Sequence, residues 1–446
     1  MTPTEVLELL DRHQIQRVKL GVFDIDGLLR GKHISRAKFQ SAAASGLGFC
    51  DVIFGWDIND ALYENVPVTV TGWHSGYPDA SARVDLATFR LIPWEAGTAF
   101  FLIDLCDPSG APLDVAPRAV LHRVIAQARQ QGFEPFCASE YEFFCFRETP
   151  ASIREKNHRN LTPLSPGMFG YSVLRASQHS PMVLDLFDQL TAFNVPIEGI
   201  HTETGPGVYE AAIQVDTALA AADKAALFKT ASKEICARHG VIPTFMAKVS
   251  AELPGSGGHI HQSLWNNTSQ ANLFHQDDHR LMRHYIAGLL EHLPEIQALL
   301  CPTINSYRRL VAGAWAPINA TWGMDNRTAA VRAIPGSAKS TRVEMRVCGA
   351  DVNPYLGMAA CLAAGLDGIA RELPLAPPTH NAYQTNAPSL ATNLHQANER
   401  FRHSEFTRRA FGEAFVTHFA ATRDWEWRQF ERAVTDWELA RYLEAI

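Results

Sequence analysis

Four short segments of this chain place cation-binding or acid–base groups on one side of an extended backbone. In Gly255-Ser256-Gly257-Gly258-His259-Ile260-His261-Gln262-Ser263, strand alternation puts His259, His261 and Ser263 on one face and Ile260 and Gln262 on the other. The glycines ahead of them let backbone approach a ligand closely. In residues 136–146 the same period sets Glu140 and Glu142 against Tyr141 and Phe143. Two carboxylates on one face repel unless a cation lies between them, and the surrounding phenylalanines predict a buried setting. Residues 208–215 repeat the pattern with Glu210, preceded by Glu203 in the loop 201–207. Residues 342–347 set Glu344 and Arg346 opposite Val343, Met345 and Val347.

If these strands share a sheet, Glu140, Glu142, Glu203, Glu210, His259 and Glu344 converge. Oxygen-rich ligands with a single imidazole suit hard Mg²⁺ or Mn²⁺ better than zinc, which prefers cysteine and histidine. Two ions sharing six protein ligands leave positions open for phosphate oxygens and water. Arg308, Arg309, Arg327, Arg332, Arg342 and Arg346 follow in one stretch, with Lys339 among them. Arginines beside a carboxylate metal site point to carboxylate and phosphate recognition. Metal, arginine and a glycine loop together predict phosphoryl transfer. The chain has no G-x-x-x-x-G-K-[ST] and no kinase-type loop, so neither familiar nucleotide fold applies.

The elements that must position these groups are legible in outline. Thr2-Pro3-Thr4-Glu5 reads as a capping box opening a short amphipathic helix. Strand-like runs follow at 17–22 and 28–34 around an Asp26-Gly27 hairpin turn. A loop-rich region, 54–94, leads to a strand at 99–104 and a turn at 107–110. One helix among several strands predicts a small α+β domain ending near residue 110. Beyond it, helical spacing marks 117–131, 181–193, 217–239, 279–300 and 354–373. Residues 374–388 read as a surface loop, and 404–446 as a helical hairpin or one long terminal helix.

The chain has 446 residues, room for two or more domains and a large core. A net charge of −7 offers no basic footprint for nucleic acid. No stretch approaches the roughly 20 apolar residues needed to cross a membrane, and no secretory signal pattern opens the chain. Eight scattered cysteines without a C-x-x-C pair read as free thiols of a reducing compartment, so a cytoplasmic location is expected.

Taken in order, these residues resemble the glutamine synthetase superfamily over nearly the whole chain. The matching motifs are Pro78-Asp79, Ile92-Pro93-Trp94, Glu140-Tyr141-Glu142, Glu203 with Glu210, Thr244-Phe245-Met246 and the glycine run to His261. Arg308-Arg309-Leu310-Val311, Asn326-Arg327-Thr328, Glu344 with Arg346, and Asn353-Pro354-Tyr355-Leu356 complete them. The resemblance implies an α+β fold: a small β-grasp domain, 14–110, and a catalytic domain, 111–446, with a saddle of antiparallel strands among helices. It implies ATP as co-substrate, two to three Mg²⁺ or Mn²⁺ ions per site, and a homo-oligomer of stacked rings, a dodecamer, with sites between neighbouring subunits. By the same resemblance, Glu142, Glu203 and Glu210 hold one ion, and Glu140, His259 and Glu344 another. Glu198, His261, Ser263, Arg332, Lys339 and Arg342 contact ATP. Arg309, Arg327, Arg346 and Gly255 hold glutamate or the transferring phosphate.

Three departures narrow the expectation. Ammonia-using members carry Asp-Gly-Ser-Ser where this chain has Phe54-Gly55-Trp56-Asp57-Ile58-Asn59-Asp60; Asp57 is the candidate base. Their flap glutamate, six residues after the first substrate arginine, is Trp315 here, and an asparagine that reads the glutamate amino group is Pro254. An indole in place of a carboxylate removes part of an ammonium site and offers an apolar surface. The expected activity is therefore ligation of L-glutamate to an organic amine (polyamine, ethanolamine, alkylamine or arylamine) through γ-glutamyl phosphate. The alternatives are an ammonia-dependent glutamine synthetase and a non-catalytic ring-forming relative.

Overall fold

The hairpin signal lies where the chain turns. Gly27 takes a φ of 79° and its amide donates to the Asp24 carbonyl, joining β1 (Arg17–Phe23) to β2 (Leu29–Ser35). The structure is a computed structural model that describes residues 1–446 except Thr69 and Gln384. With β3 (Leu47–Cys50), β4 (Asp79–Val84), β5 (Arg90–Leu91) and β6 (Thr98–Cys106), these strands form a six-stranded sheet. Its order is β2-β1-β6-β4-β3, with β5 on β6 and a parallel β1–β6 pair at the centre. The helix Pro3–Arg12 carries the predicted capping box on Thr2 and buries Val6 and Leu10.

A second helix, Arg36–Ser45, was not expected. Only Phe39 and Ala42 of its ten residues are buried, too few to print an amphipathic stripe, although Ser35 caps it through its side chain. Phe39 stacks on Phe101 of β6 at 4.7 Å between ring centroids. The stretch read as loop also contains β4 and β5, whose short runs give no sustained alternation.

The second sheet has nine strands built around one long strand, β7 (Phe133–Phe146). The others are β8 (Ile197–Thr202), β9 (Val208–Ile213), β10 (Asp216–Thr217), β11 (Ile242–Thr244), β12 (Gly258–Asn266), β13 (Trp322–Met324), β14 (Val331–Ile334) and β15 (Arg342–Met345). Their order is β13-β14-β15-β12-β7-β9-β8, with β10 and β11 also on β7. All pairs are antiparallel except β13–β14.

Alternation along β7 sends Tyr141 and Phe143 into the core, where both rings pack on Phe228 of the helix Ala218–Ala237 and on Phe245. Glu140 and Glu142 therefore face the other way. The helices Pro117–Gln130, Arg280–Leu300 and Pro354–Ala370 complete this core. Small residues let the last two touch: a Cβ on Gly288 would lie 2.2 Å from the Ala364 carbonyl oxygen.

The C-terminal stretch is neither one helix nor a hairpin. It divides into Glu405–Phe411, Glu413–Arg432 and Asp436–Tyr442, broken by Gly412 at φ 88° and restarted by a capping box on Thr435. Another helix, Leu394–His403, precedes them. The helix Glu413–Arg432 reaches back to the first sheet, where buried Arg423 pairs with Asp26 at 2.6 Å. All eight cysteines are free, and all but Cys50 are buried. Among the described residues no helix is long and apolar enough to cross a membrane.

Candidate active site

Register across the second sheet lines up the polar groups in rows. Direct pairing sets His201 of β8 opposite Glu210 of β9, and Glu210 opposite Glu142 of β7. Two residues along β7, Glu140 stands opposite His259 of β12. On β12, His261 stands opposite Glu344 of β15, which stands opposite Arg332 of β14. Neighbouring strands lie about 4.8 Å apart, so groups in one row reach each other directly. The Gly255–Gly258 approach is packed too tightly for side chains. A Cβ on Gly255 would meet Arg309 Cγ at 2.6 Å, and one on Gly257 would meet His259 Nε2 at 2.7 Å. The Gly257 amide donates to Glu142 Oε2 at 2.6 Å.

His259 Nδ1 lies 3.4 Å from Glu344 Oε1 and 3.7 Å from Glu140 Oε2, and His261 Nε2 lies 3.2 Å from Glu140 Oε1. Arg332 Nη1 donates to Glu344 Oε2 at 2.9 Å, while Arg346 Nη1 donates to Glu344 Oε1. Arg342 Nε donates to His261 Nδ1 at 3.1 Å. Burial alone would raise the Glu344 carboxyl, but His259, His261 and Arg346 bring it down to about 2. Burial also works against ionising Glu140, yet His259 and His261 hold it far below the usual carboxylate range. Glu210 goes the other way: burial, with Glu142, Glu140 and Glu203 beside it, pushes its carboxyl up to about 9.

That acidic knot is short of positive charge, and its donors fit a cation. Three triads each bring their ligand atoms within 4.8 Å of one another: Glu140–His259–Glu344, Glu142–Glu210–His259 and His201–Glu203–Glu210. The buried nitrogen His259 Nε2 has no hydrogen-bond partner. Carboxylates in excess with lone imidazoles match hard divalent ions.

The knot floors a cleft of about 1320 Å³. All six expected metal ligands line it, as do Gly255, Arg309, Trp315, Arg327 and Arg346. Of the residues assigned to ATP, His261, Arg332 and Arg342 line the cleft, whereas Glu198, Ser263 and Lys339 do not. Glu198 is exposed beside a register shift between Ile197 and Gly199, which ends simple alternation there. Ser263 Oγ accepts from Trp265 Nε1, and Lys339 is exposed in the turn before β15. Asp57 is also outside the cleft of its own chain. Its Oδ1 accepts from the Asn59 and Ala61 amides, and its Oδ2 from Trp425 Nε1 at 2.9 Å.

Two lining or neighbouring residues were missed from sequence. His201 was read as loop, but β8 runs to Thr202 and carries its Nε2 to 3.4 Å from Glu203 Oε2. Its hydrogen bond is the main cause holding Glu203 below its ordinary value. Tyr171 stacks on the His201 ring, with centroids 4.3 Å apart and planes at 12°. Tyr171 follows a glycine and lies in no periodic run, so nothing in the sequence pattern singles it out.

Comparison with known proteins shows what this chain is similar to. The glutamine synthetase catalytic domain profile matches residues 114–442. A type-1 glutamine synthetase 2 from Dictyostelium discoideum is 48% identical over 442 residues, 96% of this chain and 84% of that protein. A glutamate–isopropylamine ligase from a Pseudomonas species is 39% identical, covering 99% of this chain and 98% of that protein. A solved GmaS–ADP complex superposes with a TM-score of 0.86 at 26% identity, covering 98% of this chain and 99% of that one.

Proposed function

This chain belongs to the glutamine synthetase family and is an ATP-dependent amide-forming ligase; we propose that it joins the γ-carboxyl of L-glutamate to an organic amine through γ-glutamyl phosphate. The observation that carries the reading is the registered row of carboxylates and imidazoles facing arginines across one cleft. A carboxylate is a poor acyl donor because its leaving group would be oxide. In the first step a glutamate γ-oxygen bonds to the terminal phosphorus of ATP as the bond to the ADP oxygen breaks. In the second, the amine nitrogen bonds to the acyl carbon, phosphate departs with the carbon–oxygen electron pair, and the nitrogen gives up a proton.

Arg309 and Arg346 hold the acid substrate. Arg309 is buried and aimed by bonds from Nη1 to the Arg346 and Val347 carbonyls, 3.3 and 3.2 Å long. Arg327 is exposed to the cleft and free to spread charge from the transferring phosphoryl group. Its carbonyl accepts from Arg346 Nε at 3.0 Å, so the two act from one frame. Arg332 and Arg342 with His261 face the nucleotide; Glu198, Ser263 and Lys339 would reach it outside the cleft walls. Glu140, Glu142, Glu203, Glu210, His259 and Glu344 would hold Mg²⁺ or Mn²⁺, which when bound neutralise phosphate charge. Water has to be kept from the loaded cleft, because it would otherwise hydrolyse the acyl phosphate. Asp57 would take the amine proton only in the cleft of a neighbouring chain, within the stacked-ring assembly that the family resemblance implies.

An ammonia-using enzyme is the second reading, favoured by the identity to the Dictyostelium protein. It is disfavoured by Trp315, which puts an indole on the flap. Phosphate release from ATP, measured with glutamate and a panel of amines against ammonia, decides. Amine-dependent release that exceeds release with ammonia is expected. Release that no nitrogen nucleophile stimulates would remove the ligase reading altogether.

A further inference from the structure

Under the ligase reading Arg309 holds the acid substrate, and the segment that follows β15 grips this arginine at both ends. The guanidinium is held first: the Arg346 and Val347 carbonyls accept from Nη1, and the Arg346 carbonyl also accepts from Nη2 at 3.4 Å. The backbone beneath it is held by Asp351. Arg309 closes the four-residue helix Ser306–Arg309, which is too short to be stable through its own hydrogen bonds. Asp351 Oδ2 accepts from Ser306 Oγ at 2.6 Å and from Thr303 Oγ1 at 2.8 Å. The same two hydroxyls take each other's amides: Thr303 N donates to Ser306 Oγ at 3.0 Å, and Ser306 N donates to Thr303 Oγ1 at 3.1 Å. One carboxylate oxygen therefore ties the helix start together, and Arg309 stands one turn further on, on the side of Ser306.

The surroundings leave this start little freedom. Asn305 Oδ1 accepts from the Lys248 amide and its Nδ2 donates to the Lys248 carbonyl, both at 2.8 Å. Gly255 packs so closely on Arg309 that a Cβ there would meet Cγ at 2.6 Å. Asp351 itself does not line the cleft, so it has no direct part in the chemistry. Its second oxygen, Oδ1, is buried without a partner. Burial raises this carboxyl above its ordinary value, against the bonds from Ser306 and Thr303 and the charge of Lys229. A carboxylate that is costly to bury, placed beside the cleft and spent on two hydroxyls, fits a group that fixes geometry.

We propose that Asp351 is a positioning residue of the ligase: through the Ser306 and Thr303 hydroxyls it fixes the helix start, and with it the direction from which Arg309 reaches the acid substrate. The proposal rests on the ligase reading and on the place that it gives Arg309. All the contacts lie within one chain, so what a neighbouring chain adds to the cleft does not alter them.

The test measures KM for glutamate, KM for ATP and kcat for phosphate release, with the nitrogen nucleophile that the wild type uses best. It compares wild type with Asp351→Ala, Asp351→Asn, Ser306→Ala and Thr303→Val, with thermal unfolding of each. Asp351→Ala is expected to raise KM for glutamate about tenfold and to leave KM for ATP within about twofold, because a misdirected arginine weakens the hold on the acid alone. Ser306→Ala and Thr303→Val should shift KM for glutamate the same way by less. Asp351→Asn keeps an oxygen for both hydroxyls and should return KM for glutamate to within about threefold of wild type. KM for ATP rising in step with KM for glutamate would overturn the proposal and leave the ligase reading intact. So would lowered thermal stability with both KM values unaltered, or an Asp351→Asn variant no better than Asp351→Ala. If Asp351→Ala does not fold, the hydroxyl variants decide, and an unchanged KM for glutamate in both would overturn the proposal. Wild-type phosphate release indifferent to glutamate and to every nitrogen nucleophile would instead remove the ligase reading on which the proposal rests.

Discussion

Glu344 gathers more of the site than any other side chain. Its two oxygens take Arg332 and Arg346, and His259 Nδ1 lies 3.4 Å away, all with almost no exposure. Replacing it by glutamine keeps the volume and removes the charge that all three groups face. Glu344→Gln is expected to lower kcat for phosphate release by at least about a hundredfold, as for loss of a charge-stabilising group. Leaving two guanidiniums beside a neutral amide should cost about 3 kcal/mol of stability, read from thermal or urea unfolding. Turnover equal to wild type would place the chemistry elsewhere. Glu344 was legible in the sequence because strand alternation is strict on β15, as were Glu140, Glu142, Glu210 and His259 on their own strands. His201 was not, because the histidine falls in a short, polar run before Gly205-Pro206-Gly207, which reads as loop. Only the pairing of β8 with β9 makes it a strand residue.

At the scale of elements, the long helices were legible from the spacing of their apolar residues rather than from their ends, since among them only Pro354–Ala370 has a side-chain N-cap, on Asn353. What escaped was short or had too few apolar residues to print a period, such as the helix Arg36–Ser45 and the strands β4 and β5. Contacts between helices are invisible to periodicity altogether, and one of them predicts a pH response. His292, on the helix Arg280–Leu300, sits between Glu295 at 2.6 Å and Asp367 of the helix Pro354–Ala370 at 2.8 Å. Its ring stacks on Phe406 with centroids 3.6 Å apart. Asp367 is shared with Arg371 and Arg409, and Arg371 also pairs with Glu291. Burial opposes the charged imidazole, but Glu295 and Asp367 overcome it and raise its pKa. A histidine whose folded pKa is raised contributes stability that is complete below its unfolded pKa and is lost as pH rises through the folded one. Unfolding free energy should therefore fall as pH rises above the ordinary histidine range. His292→Gln should flatten that dependence. A variant with the same pH slope as wild type would show that the imidazole is not the titrating group.

At the scale of the whole molecule, the two sheets are clamped by charge, and the clamp decides where Asp57 can act. Arg423 of the helix Glu413–Arg432 is buried against Asp26, while Trp425 on the same helix donates to Asp57. Arg118 bridges Asp85 and Asp104 of the first sheet to Asp223 behind the second. These contacts hold Asp57 outside the cleft of its own chain, so the part proposed for it in deprotonating the amine is one played in a second chain. Sequence reading named Asp57 from its place in the chain and had no means to see Trp425 holding it. If rings assemble with clefts between neighbours, Asp57→Asn and Glu344→Gln damage different halves of one composite site. Each pure variant should then lose most of its amine-dependent phosphate release. Mixing the two after dissociation and reassembly should restore about a quarter of wild-type activity, the fraction of clefts that draw both intact halves at random. Full activity in Asp57→Asn alone would remove the residue from the chemistry. Two inactive variants that fail to complement would place both halves of the site in a single chain, against the clamp that the fold shows.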